Sequence, residues 1–140
     1  MISLLFLLTS FYLIITTILF FAQSYFIFFP REIAGYQHSF LKQFKSNEIA
    51  LDHDGISLHG WFIQNETNPD NPLIIYYGGN AEEVSTNLYD LDKFGDYSFL
   101  FMNYRGYGKS EGRPGQDALF SDALFIFDHI SKKHHIPPEK

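Results

Sequence analysis

A chain of 140 residues, 46% hydrophobic and carrying a net charge of −6, has room for one domain of ordinary size. That balance excludes a nucleic-acid surface, which needs clustered lysine and arginine. Cysteine is absent, so disulfide frameworks and thiolate chemistry are excluded as well.

Charge is unevenly placed, because no residue from Met1 to Pro30 carries one. Ile2 to Phe29 reads ISLLFLLTSFYLIITTILFFAQSYFIFF, well beyond the ~18 apolar residues that suggest a membrane-spanning helix. Its Ser and Thr residues can bond back to helix carbonyls, which makes them tolerable in lipid. Tyr25, Phe26, Phe28 and Phe29, followed by Pro30 and Arg31, have the form of an interfacial end with a charged stop. A cleaved signal peptide needs a basic leader and a shorter apolar core. Ala22-Gln23-Ser24 has the small residues of a cleavage site, but no basic residue precedes Arg31. The expectation is an uncleaved signal-anchor helix over 1–29, a single-pass membrane protein that meets the bilayer through residues 2–29. Arg31, Lys42 and Lys45 follow the segment, a bias that places the rest of the chain on the cytoplasmic side.

Residues 30–46 show no period and read as a connector. Asn47 to Asp52 and Ile56 to Gln64 read as two strands, joined by a tight turn at His53-Asp54-Gly55 that supplies positive φ. A polar loop, Asn65 to Pro72, leads to the short apolar run Leu73 to Tyr77, as expected of a strand covered on both faces. Gly78-Gly79-Asn80 breaks that strand. A helix is predicted over 81–94 from Val84, Leu88, Leu91 and Phe94, with Gly95 as its stop. Tyr97 to Asn103 is a further buried strand, Tyr104 to Gly115 a glycine-rich loop, and 117–134 a second helix. The apolar stripe of that helix is read as Leu119, Ala123, Leu124, Phe127 and Ile130, and Pro137-Pro138 ends it. Apolar strands alternating with amphipathic helices predict an α/β domain over 47–140. About four strands and two helices form a mixed sheet there, too few to cover both faces.

Gly108-Lys109-Ser110-Glu111-Gly112 matches G-x-S-x-G, the nucleophile elbow of serine hydrolases. The elbow requires a strand running into the motif and a helix leaving it. Here the strand ends near Asn103 and Arg113-Pro114-Gly115 delays the helix, so Ser110 is read as a loop residue. The same stretch approaches a phosphate-binding loop, but Asn103 stands where its first glycine belongs. Gly78-Gly79-Asn80-Ala81 lies between a strand and a helix start, where free amides can hold a developing oxyanion. Glu82 and Glu83 are read as ordinary helix-start residues. His38, His53 and His59 show neither metal-ligand spacing nor a carboxylate partner, and His134-His135 are adjacent and diverge, so neither metal nor cofactor is expected.

Taken together, these segments resemble the α/β-hydrolase superfamily, and within it the membrane-anchored branch related to Bem46. The likeness runs through FIFFP (Phe26 to Pro30), HDGISLHGWF (His53 to Phe62) and LIIYYGGNAEEVS (Leu73 to Ser85). It continues in NYRGYGKSEGRPG (Asn103 to Gly115) and DALFSDALFIFDHI (Asp117 to Ile130), in the family's order. The resemblance implies that the backbone N–H of Asn80 forms part of an oxyanion hole, with Gly79 beside it. The family has His-Gly-Asn-Ala at this point, and Gly78 in place of the histidine is expected to loosen the turn. It also implies that the nucleophile, acid and histidine lie beyond Lys140, on and after the next strand. Two functions follow. One is part of a membrane-anchored serine hydrolase of acyl esters, amides or thioesters, inactive without that triad. The alternative is a non-catalytic, membrane-tethered binding or regulatory protein.

Overall fold

In the computed structural model, which describes residues 2–65, 67 and 71–134, helix α1 (Ile2–Ile27) is apolar on every side. Its stretch Ser3–Ile27, 25 residues, is long and apolar enough to cross a membrane, and its most apolar window is wholly unburied. The Thr16 and Thr17 hydroxyls donate to the carbonyls of Tyr12 and Leu13 at 2.8 and 2.7 Å, leaving neither hydroxyl unpaired in an apolar surrounding.

The connector is more ordered than its sequence suggests. It holds a short helix α2 (Gln37–Leu41) and a 3₁₀ segment (Lys42–Asn47), turns too brief to show a period. Ile33, Phe40, Leu41 and Phe44 press this segment onto one face of the sheet.

Four strands follow: β1 (Glu48–His53), β2 (Ile56–Ile63), β3 (Leu73–Tyr77) and β4 (Ser98–Met102). Their spatial order is β1-β2-β4-β3, with β1/β2 and β2/β4 antiparallel and β3/β4 parallel. This is the mixed sheet expected from sequence. The β1–β2 turn puts Asp54 and Gly55 at φ 54° and 76°, the pair of left-handed residues that a two-residue hairpin turn demands. Strand β4 is buried at all five positions. Its alternating side chains divide the core: Leu100 and Met102 join Leu51 and Leu58, while Phe99 and Phe101 join Trp61, Val84 and Leu88.

Two elements differ from the sequence reading. The helix expected over 81–94 is a 3₁₀ helix, Val84–Lys93. The Thr86 hydroxyl and the Asn87 amide donate to the carbonyls of Glu83 and Val84, the acceptors that the first α-helical bonds would use. Residues 78–83 are meanwhile committed to the turn before it.

The second helix, α3 (Gln116–Lys133), is present but rotated. Its buried line is Asp122, Ile126 and Ile130, while Leu124 is 69% exposed and Phe127 43% exposed. Arg105 grips Asp122 through Nε and one terminal nitrogen, both at 2.6 Å, and this charged clamp fixes which face of α3 meets the sheet. Of the stripe expected from sequence, Ile130 alone points into the core. His135 and Pro137-Pro138 lie outside the described residues.

Candidate functional site

The loops that leave the C-terminal ends of the parallel strands β3 and β4 meet at one end of the sheet. In the first loop, Gly78 is buried, and a Cβ there would stand 3.1 Å from both the Glu82 carbonyl and a Val84 methyl. Glu82 folds back to accept the Gly79 amide at 2.9 Å and the Tyr76 hydroxyl at 3.0 Å, so its carboxylate closes the turn. Burial works to raise the Glu82 carboxyl, but the Gly79 amide, Asn87 and Tyr76 outweigh it and hold the group below its ordinary range.

Of the two expected oxyanion donors, Gly79 is therefore already engaged by Glu82. Asn80 is exposed, and no described residue accepts from its backbone N–H. Its carbonyl accepts from Phe29 N at 2.8 Å and from the Tyr107 hydroxyl at 2.6 Å, and its side-chain amide donates to the Ile27 carbonyl at 3.0 Å.

Glu83 is a helix-start residue, the N-cap of the 3₁₀ helix, but a buried one with further partners. It is 5% exposed, and its carboxylate caps Ser85 N at 3.2 Å, takes the Ser85 hydroxyl and accepts from Asn103 Nδ2 at 3.0 Å. Asn103 Oδ1 accepts from Val84 N at 3.1 Å, so this one amide ties the end of β4 to the start of the 3₁₀ helix.

In the second loop, Ser110 is 8% exposed and turned into the sheet. Its Oγ accepts from His59 N at 2.8 Å and donates to the Asn103 carbonyl at 3.2 Å. Gly108 sits at φ 56°, and a Cβ there would run into the Asn103 side chain. Lys109 pairs with Glu48 across the domain.

No protein-family model matches the chain. It is 34% identical over 87 residues to the α/β-hydrolase domain-containing protein WAV2 of Arabidopsis thaliana, covering 59% of this chain and 28% of that protein. It is also 34% identical over 85 residues to an uncharacterised membrane protein of Saccharomyces cerevisiae, covering 58% and 29%. A crystal structure of an α/β-hydrolase from Vibrio vulnificus superposes with a TM-score of 0.62 at 21% identity, over 77% of this chain and 39% of that one. Over part of its length the chain is thus similar in sequence to an α/β-hydrolase domain-containing protein and similar in fold to a solved α/β-hydrolase. It spans about a third of the length of the curated relatives it matches, and its mixed sheet with helices, preceded by the apolar helix α1, matches part of the α/β-hydrolase architecture.

Within this fold two histidines prove to have carboxylate partners, against the sequence reading. His53 Nδ1 lies 2.6 Å from Asp122 Oδ1 and stacks on Phe125 at 4.3 Å. The two residues are 69 positions apart and meet because α3 crosses the end of β1. His59 Nε2 lies 2.7 Å from Glu48 Oε1, a diagonal pair across the β1–β2 ladder where Ala50 is the direct partner of His59. No group of three or more His, Asp and Glu side chains among the described residues is arranged to hold a metal.

The Glu48–His59 pair makes stability depend on pH. Burial works to raise Glu48, but bonds from Lys109, Lys45 and His59 bring it down to about 2. Burial lowers His59 and outweighs the opposing pull of Glu48, so the ring stays neutral, donates from Nε2 and leaves Nδ1 without a partner. Glu48 stabilises the fold fully above its ordinary value of 4.5, and this is lost as pH falls toward about 2. His59 stabilises fully above its ordinary 6.5, and loses that contribution as pH falls. Denaturation of detergent-solubilised protein is therefore expected to become easier as pH drops below about 6.5. Glu48→Gln should flatten the acid part of the curve, and an identical curve in the variant would exclude this assignment.

Proposed function

We propose that these residues supply the anchor, the scaffold and one oxyanion donor of a membrane-anchored serine hydrolase of the Bem46-like branch. Its substrates are acyl esters, amides or thioesters. The observation that carries the reading is the turn after β3: Asn80 is exposed at the C-terminal end of a parallel strand with its N–H unengaged, while its carbonyl is fixed from two sides. A donor held in this way needs no reorganisation when negative charge develops on a substrate oxygen, which is the condition for oxyanion stabilisation. Helix α1 serves as an uncleaved single-pass anchor. Ser110 is structural, since its hydroxyl serves the β2–β4 junction and, among the described residues, its hydrogen-bonded partners are backbone groups rather than a basic side chain. The nucleophile, acid and histidine of the triad come from outside these 140 residues.

The test is fluorophosphonate labelling of the protein isolated from its own membranes, with the labelled peptide sequenced. The expected label is on a serine outside residues 1–140, and Asn80→Pro, which deletes the N–H, should slow labelling by roughly 10²–10³. A label on Ser110, or labelling unaffected by Asn80→Pro, contradicts the proposal. A non-catalytic tethering role finds its support in the exposed stripe Phe120, Leu124 and Phe127 of α3, a surface suited to another protein. Complete absence of labelling in protein that melts cooperatively would favour it.

A further inference from the structure

The chain leaving α1 does not hang free of the domain. It is bonded to the candidate oxyanion turn and to the loop after β4, through every second residue from Ile27 to Arg31. Ile27 O accepts from the Asn80 side chain at 3.0 Å, Phe29 N donates to Asn80 O at 2.8 Å and contacts the Tyr107 hydroxyl at 3.1 Å, and Arg31 O accepts from Gly108 N at 2.8 Å. Tyr107 is fully buried, so its hydroxyl, 2.6 Å from Asn80 O, is an internal strut rather than a surface contact. The two glycines flanking it, Gly106 and Gly108, have φ of 79° and 56°, backbone that turns the ring inward at little cost only for glycine.

The geometry has a consequence for depth. Ile27 is the last residue of the stretch able to cross a membrane, and the Asn80 side chain is one hydrogen bond from it. A groove of about 530 Å³ opens beside this junction, walled by Ser24, Ile27 and Phe28 on one side and by Tyr77, Tyr104 and Phe120 on the other. One wall of this groove is thus continuous with the span, and Phe120, 66% exposed, extends the apolar lining outward. A helix end rich in Phe and Tyr sits where headgroups meet acyl chains.

We infer that the strap Ile27–Arg31 and the Tyr107 strut hold the Asn80 turn at the membrane interface, so that the acyl groups it meets are those of bilayer-resident molecules. The inference rests on the hydrolase reading for the role of Asn80, but its geometric content does not. Tyr107 is a positioning residue: it acts on the orientation of the Asn80 peptide and touches no substrate.

The absence of cysteine allows single-site probes. Nitroxide labels are placed at Leu13→Cys within α1, at Ala81→Cys beside the turn, and at Lys133→Cys at the far end of α3. The chain is reconstituted in phosphatidylcholine vesicles containing a nickel-chelating headgroup lipid. The 18 residues of α3 span about 27 Å, which sets the probes well apart in depth. The expected result is a lipid-buried label at 13, and headgroup-nickel relaxation several-fold faster at 81 than at 133. Tyr107→Phe, which keeps the ring, should speed amide exchange at 29, whose N–H is bonded at the strut, about fivefold while β2 and β4 stay protected. A lipid-buried label at 13 with 81 as remote from headgroups as 133 overturns the placement and leaves the anchor standing. A label at 13 outside lipid defeats the anchor and this inference together. Unchanged exchange in Tyr107→Phe removes the strut. None of these readouts requires turnover, so failure of the oxyanion role would be seen separately, in the labelling rate of Asn80→Pro.

Discussion

Asn103→Asp is expected to cost a large share of the folding stability at neutral pH, although it changes a single side-chain group. Asn103 is 2% exposed, and its two halves do different work: Oδ1 accepts from Val84 N, and Nδ2 donates to Glu83 Oε1 at 3.0 Å. Aspartate keeps the acceptor and loses the donor. It also sets a second carboxylate against a buried one that has no cation among its hydrogen-bonded partners. A broken buried polar pair of this kind costs about 3–5 kcal/mol, against a total of about 5–15 kcal/mol for a typical domain. The sign of its pH dependence distinguishes this mechanism from simple loss of packing. Two carboxylates in one site force the pair to hold a proton, so the folded pKa rises above the unfolded one. The penalty is greatest above that raised pKa and shrinks as pH falls, opposite to the acid sensitivity expected of the unsubstituted protein. Melting followed by circular dichroism at neutral and mildly acidic pH checks this. If the gap between variant and parent does not narrow on acidification, charge repulsion is not the cause.

Much of the scaffold was legible because its signals are local. The strand Leu73–Tyr77 was found at its observed limits from a run of apolar residues, and the hairpin from Asp54-Gly55 between two alternating segments. The apolar helix was legible from composition alone, and the α/β-hydrolase likeness from the order of several short motifs along the chain.

What was missed depends on partners distant in sequence. The facing of α3 could not be read from its own period, because Arg105 and Asp122 decide it and a charge on the buried side runs against the usual hydrophobic rule. The pairing of His53 with Asp122 spans 69 positions and required knowing where α3 crosses the sheet. His59 was nearer to being found: once the hairpin register was fixed by the Asp-Gly turn, Glu48 lay on the diagonal from it. The 3₁₀ character of Val84–Lys93 was foreshadowed by Thr86 and Asn87, residues whose side chains compete for helix carbonyls. The same long-range logic governs the candidate site. Asn80 could be picked out by its place after a strand, whereas the union of its carbonyl with Tyr107 and Phe29 belongs to the folded chain.

The second large effect is expected from Gly60→Ala, a substitution that adds one methyl group to a strand of ordinary extended backbone. Gly60 lies in β2 opposite Met102 of β4. A Cβ there would overlap the Phe101 carbonyl oxygen and stand 2.5 Å from Met102 Sδ. The methionine side chain can move, but the carbonyl belongs to the central strand and cannot yield without parting β2 from β4. The residues on both sides raise the stakes. His59 N and O are tied to Ser110 Oγ and Asn103 N, and Trp61 is 1% exposed in the core. Overpacking that side chains can absorb costs about 1–3 kcal/mol, and a backbone collision in the middle of a sheet should exceed about 3 kcal/mol. For a domain of this size that is a fall in melting temperature of roughly 12 °C or more. Gly115→Ala serves as the contrast, because a Cβ there meets nothing within 4 Å and its φ of −171° is extended backbone open to any residue. Gly115→Ala should melt within a degree or two of the parent, about the size expected of a surface substitution. Equal melting temperatures for Gly60→Ala and the parent would show that β2 and β4 do not pack in this register.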